Sequence, residues 1–218
     1  MYKPHPSQRL TDLFRAKPYQ GARPQDAEFV FMGLDANYDA DIERGRAFDS
    51  VLEYHADGVA FWQRHGVHHP FLLPGYRGAG QPYHQNFAKV GLRSEDARRV
   101  SFVELLNVPT IGGHDLAVED LDPQHLDELN ALILGGARRN VFLSDKVAKL
   151  MRRSGRFGWL RKPIANQVLP VLHKVGATTV YQHLHFSNYG KFQGRMTIEA
   201  AAIAALAAAK PEGGPEAR

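Results

Sequence analysis

The chain has 218 residues, 44% of them hydrophobic, with a formal charge of +4, eleven histidines and no cysteine. That length and apolar content fit one domain with a full core, while the missing cysteines exclude disulfides, zinc–thiolate sites and iron–sulfur clusters. No apolar run reaches about 18 residues and the N-terminus lacks the apolar core of a signal peptide, which reads as a soluble, cytoplasmic protein with no membrane partner.

In chain order, Ser7 caps a helix over residues 7–16 whose Leu10, Leu13 and Phe14 form one apolar face. Phe29-Val30-Phe31-Met32 is a buried strand, bounded by Glu28 before and Gly33 after. Asp39 to about Arg64 is helical in pattern, with Gly45 and Gly58 as points of division. Residues 66–82 hold enough glycine and proline to be a long loop, a length that inside a compact domain points to function. A short helix follows from Tyr83 to Val90, ended by Gly91. Val100 to Leu106 is the second strand, and Asn107 opens the turn beyond it.

Asp122-Pro123 supplies an N-cap and a first-turn proline for a helix through Leu134. Asn140-Val141-Phe142-Leu143 is the third strand, and Ser144 caps a helix to Arg153. Residues 164–172, bracketed by Pro163 and Pro170, suggest no definite element. Ala177 to Tyr181 is the fourth strand, running into His183-Leu184-His185-Phe186-Ser187-Asn188. Thr197 caps an alanine-rich helix to Lys210.

Short buried strands separated by helices require parallel pairing through right-handed crossovers. The expected fold is therefore α/β, a three-layer α/β/α sandwich around a central, mostly parallel four-stranded sheet. Residues 1–210 form the single domain, and 211–218 a disordered tail.

Ligands of such sheets sit outside the C-terminal strand ends. Three of those ends carry polar groups: Asp35 with Asn37 and Tyr38, then Asn107, then His183 with His185. A carboxylate can orient water, an amide can read a heterocycle edge and an imidazole can support a developing anion. Phe71, in the long loop, offers a ring on which an extruded base can stack. The basic pairs Arg98-Arg99, Arg138-Arg139, Arg152-Arg153 and Arg161-Lys162 favour a phosphate-rich partner.

Gly33-Leu34-Asp35-Ala36-Asn37-Tyr38, Tyr83 to Leu92, Leu105-Leu106-Asn107-Val108-Pro109-Thr110 and His185-Phe186-Ser187-Asn188, in that order, resemble the motifs of the uracil-DNA glycosylase superfamily across residues 29–190. The resemblance implies a cofactor-independent, monomeric enzyme that hydrolyses the N-glycosidic bond of uracil or another deaminated or damaged base flipped out of DNA. It places Asp35 on the water-positioning residue, with Gly33, Leu34, Asn37 and Tyr38 beside the substrate. It also makes Asn107 the reader of the base, while Phe71 stays the stacking platform that the long loop offers. His185, with His183 nearby, falls on the histidine that bonds the base, and Ser187, Asn188 and Lys191 fall in the DNA-inserting loop. Ala36 stands where the superfamily has proline, and Phe186 and Asn188 replace both prolines of the last motif.

Other uses of the same residues stay open. Asp35 can cap a helix, Asn107 can satisfy a turn, and Phe71 can plug the core. His68-His69 read as solvent-facing loop residues. His183 and His185, two apart on an extended segment, point the same way and suit a metal pair with Asp35 in a metal-dependent hydrolase. A catalytically silent nucleic-acid-binding module is the other alternative.

Overall fold

The computed structural model describes residues 2–112, 115–164 and 167–209. Its frame is one six-stranded mixed sheet in an α/β arrangement. The strands are β1 (Tyr19–Gly21), β2 (Phe29–Gly33), β3 (Val100–Glu104), β4 (Arg139–Ser144), β5 (Val171–Val175) and β6 (Thr178–His183), in the order β1-β3-β2-β4-β6-β5. The four expected strands are all present, and β3, β2, β4 and β6 run parallel. The expected four-stranded sheet is corrected by two antiparallel edges: β1 on β3 and β5 on β6.

The central strands are covered on both faces, which is why their apolar runs do not alternate with polar residues. One face carries an aromatic row in register, Phe102–Phe31–Phe142–Tyr181, with Phe31 and Phe142 stacked at 4.8 Å. Buried Trp62 of α3 (Gly58–His65), Phe87 of α4 (Gln81–Ala88) and Ile203 of α7 (Gln193–Ala208) close over it. On the other face Val30, Met32, Val141 and Leu143 meet α5 (Pro123–Leu134) and α6 (Asp145–Arg153). A third cluster joins α1 (Gln8–Ala16) to Tyr38, Phe71 and Phe48 of α2 (Phe48–Ala56).

Side-chain caps set the starts of α1, α3 and α5. The Ser7 hydroxyl accepts from Leu10 N at 3.1 Å, and an Asp122 oxygen accepts from Gln124 N at 2.9 Å. The expected helical stretch 39–64 is a 3-10 turn, α2 and α3, with breaks at Gly45 and at Asp57, whose carboxylate caps α3. α7 starts four residues before the expected cap. Thr197 lies inside it, its hydroxyl donating back to Gln193 O at 3.1 Å. Ser144 stands at the α6 N-cap without a side-chain bond. The tail expected at 211–218 lies outside the described residues. Among those described, no helix is long and apolar enough to cross a membrane.

Candidate active site

β2 pairs with β3 on one side and β4 on the other, and the crossovers leave in opposite directions from there. This is the switch point at which open α/β sheets form a crevice beyond their C-terminal ends. Parallel pairing continues past β2 and β3 into the loops: Leu105 N donates to Gly33 O at 3.0 Å, Leu106 N to Leu34 O at 2.9 Å, Thr110 N to Ala36 O at 2.9 Å and Tyr38 N to Thr110 O at 2.9 Å. Residues 107–109 lie between these bonds, so the ladder fixes the backbone around Asp35 and gives Asn107 a place on an excursion.

Asp35 is partly buried and caps no helix. Its Oδ2 accepts from the Thr110 hydroxyl, whose oxygen in turn accepts from Gly112 N at 3.0 Å. Because the only hydroxyl proton goes to Asp35, the arrangement suits the carboxylate form. Burial nonetheless raises Asp35 above the ordinary carboxylate value, the Thr110 bond partly offsetting it.

Glu104, absent from the residues expected above, lies beside it. In register with Gly33, its carboxyl lies so close over the glycine that a Cβ there would fall 1.9 Å from Oε2. Burial pushes Glu104 well above its ordinary value, and Asp35 adds to the effect. Glu104 is within electrostatic reach of Tyr83 on α4, whose ring is 5.2 Å from that of His185. Asp35 and Glu104 act on each other through charge, as do Glu104 and Tyr83, and Tyr83 adjoins His185, a row of pairwise couplings beyond the strand ends.

His183 and His185 do not share a direction, because the strand ends at His183. The His183 ring is 5% exposed, edge-on to Phe31 and Phe142 and 4.8 Å from Phe186; burial lowers it to about 3. Its Nδ1 has no partner among the described residues. His185 is at the surface, with Ser187 Oγ 2.6 Å and Ser187 N 3.3 Å from Nδ1. Two donors directed at Nδ1 make it the acceptor and assign the ring proton to Nε2. Packing around the ring and then the Lys146 ammonium hold His185 below its ordinary value. Among the described residues no group of three histidines, aspartates or glutamates can hold a metal ion.

The turn carrying Ser187 is pinned by Asn86 of α4, whose buried Nδ2 donates to Phe186 O at 2.6 Å and reaches Asn188 O at 3.4 Å. Asn188 closes the turn by donating to His185 O at 2.9 Å. Beyond it, Tyr189 is 83% exposed, and Lys191 is exposed with its ammonium over the Phe192 ring.

The other expected contacts are placed less openly. Asn107 is partly buried and donates to Asp122 Oδ2 at 3.1 Å, next to the cap of α5. Asn37 is exposed and lies over Gly112, where a Cβ would fall 2.7 Å from its Nδ2. Leu34 packs on the core. Tyr38 is buried, its hydroxyl accepting from Gln20 Nε2 at 2.8 Å. Phe71 is 2% exposed and stacks on Tyr76 with centroids 4.2 Å apart and planes at 5°. A cleft of about 490 Å³, lined by Asp39, Ile42, Arg46, Pro70, Tyr76 and Arg77, opens beside this pair.

The expectation of solvent-facing His68 and His69 is corrected: both are 3% exposed. His69 stacks on His84 at 3.6 Å, and His68 Nε2 lies 3.1 Å from His84 Nδ1. Burial drives all three toward the neutral form, His68 to about 3.

Glu104 carried one signal in the sequence, a carboxylate inside an otherwise apolar strand run. Thr110, Tyr83 and Asn86 carried none beyond their place in the matched motifs. No protein-family model matches the chain, and no curated protein matches it.

Proposed function

We propose that the chain is a DNA glycosylase of the uracil-DNA glycosylase superfamily, a three-layer α/β/α domain. It hydrolyses the N-glycosidic bond of uracil or another deaminated or damaged base extruded from DNA, without a cofactor. The observation that carries the reading is the row Asp35–Glu104–Tyr83–His185 at the C-terminal sheet edge, anchored by Thr110 at one end and Ser187 at the other.

Asp35 holds the attacking water and its negative charge favours the cationic sugar. The C1′–N bond breaks with its electron pair going to the base, and the water oxygen bonds to C1′ as its proton passes to Asp35. His185, with its proton on Nε2, donates to the base oxygen that gains charge. Tyr189, the most exposed large apolar residue among those described, enters the base stack beside Ser187, and Lys191 meets phosphate. The work is intracellular, on DNA.

The test is release of base from labelled oligonucleotides carrying uracil, hypoxanthine, xanthine or a mismatched thymine, in the presence of chelator. Asp35→Ala is expected to lower the rate by orders of magnitude with DNA affinity and folding retained. An undiminished Asp35→Ala enzyme removes Asp35 from the mechanism.

A second reading, a nucleic-acid-binding module without base release, is favoured by one observation: Tyr76 covers the face of Phe71 on which a base would stack. It predicts salt-dependent DNA binding and no abasic product from any of these substrates.

A further inference from the structure

Two carboxyls meet at the centre of the sheet edge, and their surroundings differ. Asp35 has a hydroxyl donor in Thr110. The charge acting on Glu104 is that of Asp35, on the loop after β2, and Glu104 in turn acts on the phenols of Tyr38, Tyr54 on α2 and Tyr83 on α4; no cation is among these groups. His125 of α5 engages only the Glu104 carbonyl, at 2.8 Å. The parallel register sets the carboxyl directly over Gly33, where no side chain intervenes. Two adjacent carboxyls with one stabilised anion divide into a base and an acid.

We propose that Glu104 is the acid of this site: a neutral carboxyl that donates a hydrogen bond to the heterocycle as the electron pair of the broken C1′–N bond collects on it. The ligand class is a heterocycle that leaves as an oxygen- or nitrogen-centred anion. The inference rests on the glycosylase reading for its ligand, whereas the neutral state of Glu104 belongs to the folded protein alone. Burial and the Asp35 charge both act to keep the proton on.

Two measurements separate the inference from that reading. The first is the infrared carbonyl band of a protonated carboxyl in the whole protein at neutral pH. It is expected in the wild type and in Asp35→Ala, and absent from Glu104→Gln; a spectrum without the band in the wild type overturns the inference whether or not the protein releases bases. The second is the pH profile of base release. The wild-type rate is expected to fall on the alkaline side as Glu104 loses its proton. Glu104→Gln, which keeps a neutral donor, retains most of the rate and loses that limb, while Glu104→Ala drops by about a hundredfold. An alkaline limb that survives in Glu104→Gln, or a Gln variant as slow as Ala, overturns the inference. A band at neutral pH in a protein that releases no base instead overturns the glycosylase reading and the ligand assigned to Glu104 with it.

Discussion

At His183 the imidazole sits among Phe31, Phe142 and Phe186 with an Nδ1 that has no partner among the described residues. Its value falls from the ordinary 6.5 to about 3, so between those limits the unfolded chain holds a proton that the folded chain does not. Stability therefore declines as pH falls below 6.5, by about 1.4 kcal/mol per pH unit for each such group. His68 adds the same effect. Replacing His183 by Phe removes both the unpaired polar atom and the linked proton. The variant is expected to lose about that much less stability per pH unit between pH 6 and pH 4, as read by denaturant unfolding. A slope equal to that of the wild type would show the ring to be protonated or hydrated in place.

Side-chain positions were readable where a residue follows directly from its strand. Asp35 just beyond β2 and the His185–Ser187 pair just beyond β6 were legible as polar residues that follow a buried run. Glu104 was not, since its position over Gly33 depends on the register of two strands far apart in sequence. His68 and His69 looked exposed because the flanking glycines and prolines suggest open loop, yet stacking on His84 buries them.

Among the elements, α4 serves three parts of the fold. It supplies Phe87 to the aromatic face, Tyr83 to the site row and Asn86 to the turn after β6. Asn86→Ala leaves the Phe186 carbonyl without its donor, an expected cost of about 1–3 kcal/mol. With the turn released, Ser187, Tyr189 and Lys191 lose their common frame, so on the proposed glycosylase reading the KM for DNA should rise more than kcat falls. Unfolding and steady-state kinetics check both. Lys89, which donates to Asn86 Oδ1 at 2.8 Å from an exposed position, can be replaced by Ala with far less effect. The helices were mostly legible from caps and glycines. α7 was placed late because Thr197 resembles a cap while its hydroxyl in fact bonds back within the helix.

For the whole molecule, the four parallel strands could be read from apolar runs bounded by charge or glycine. The edges could not. Tyr19–Gly21 is too short to show a period, and Val171–Val175 is broken by His173 and Lys174 and preceded by Pro170. Edge strands have one hydrogen-bonded neighbour, and the central ones have two. Native-state hydrogen exchange is expected to be slowest at Phe29–Met32 and Val141–Leu143 and orders of magnitude faster at Tyr19–Gly21. Comparable protection in β1 would mean that the sheet opens as one unit.

The strand order also has a consequence for how the chain acquires its shape during synthesis. β2 is the first core strand to leave the ribosome, yet it occupies the middle of the sheet, and its two partners lie about 70 and about 110 residues downstream. Until β4 emerges, Phe29-Val30-Phe31-Met32 has no complete place to pair, and closing such long separations is slow. For much of its synthesis this strand stays an extended apolar segment without its neighbours, and the site edge is among the last parts of the protein to form.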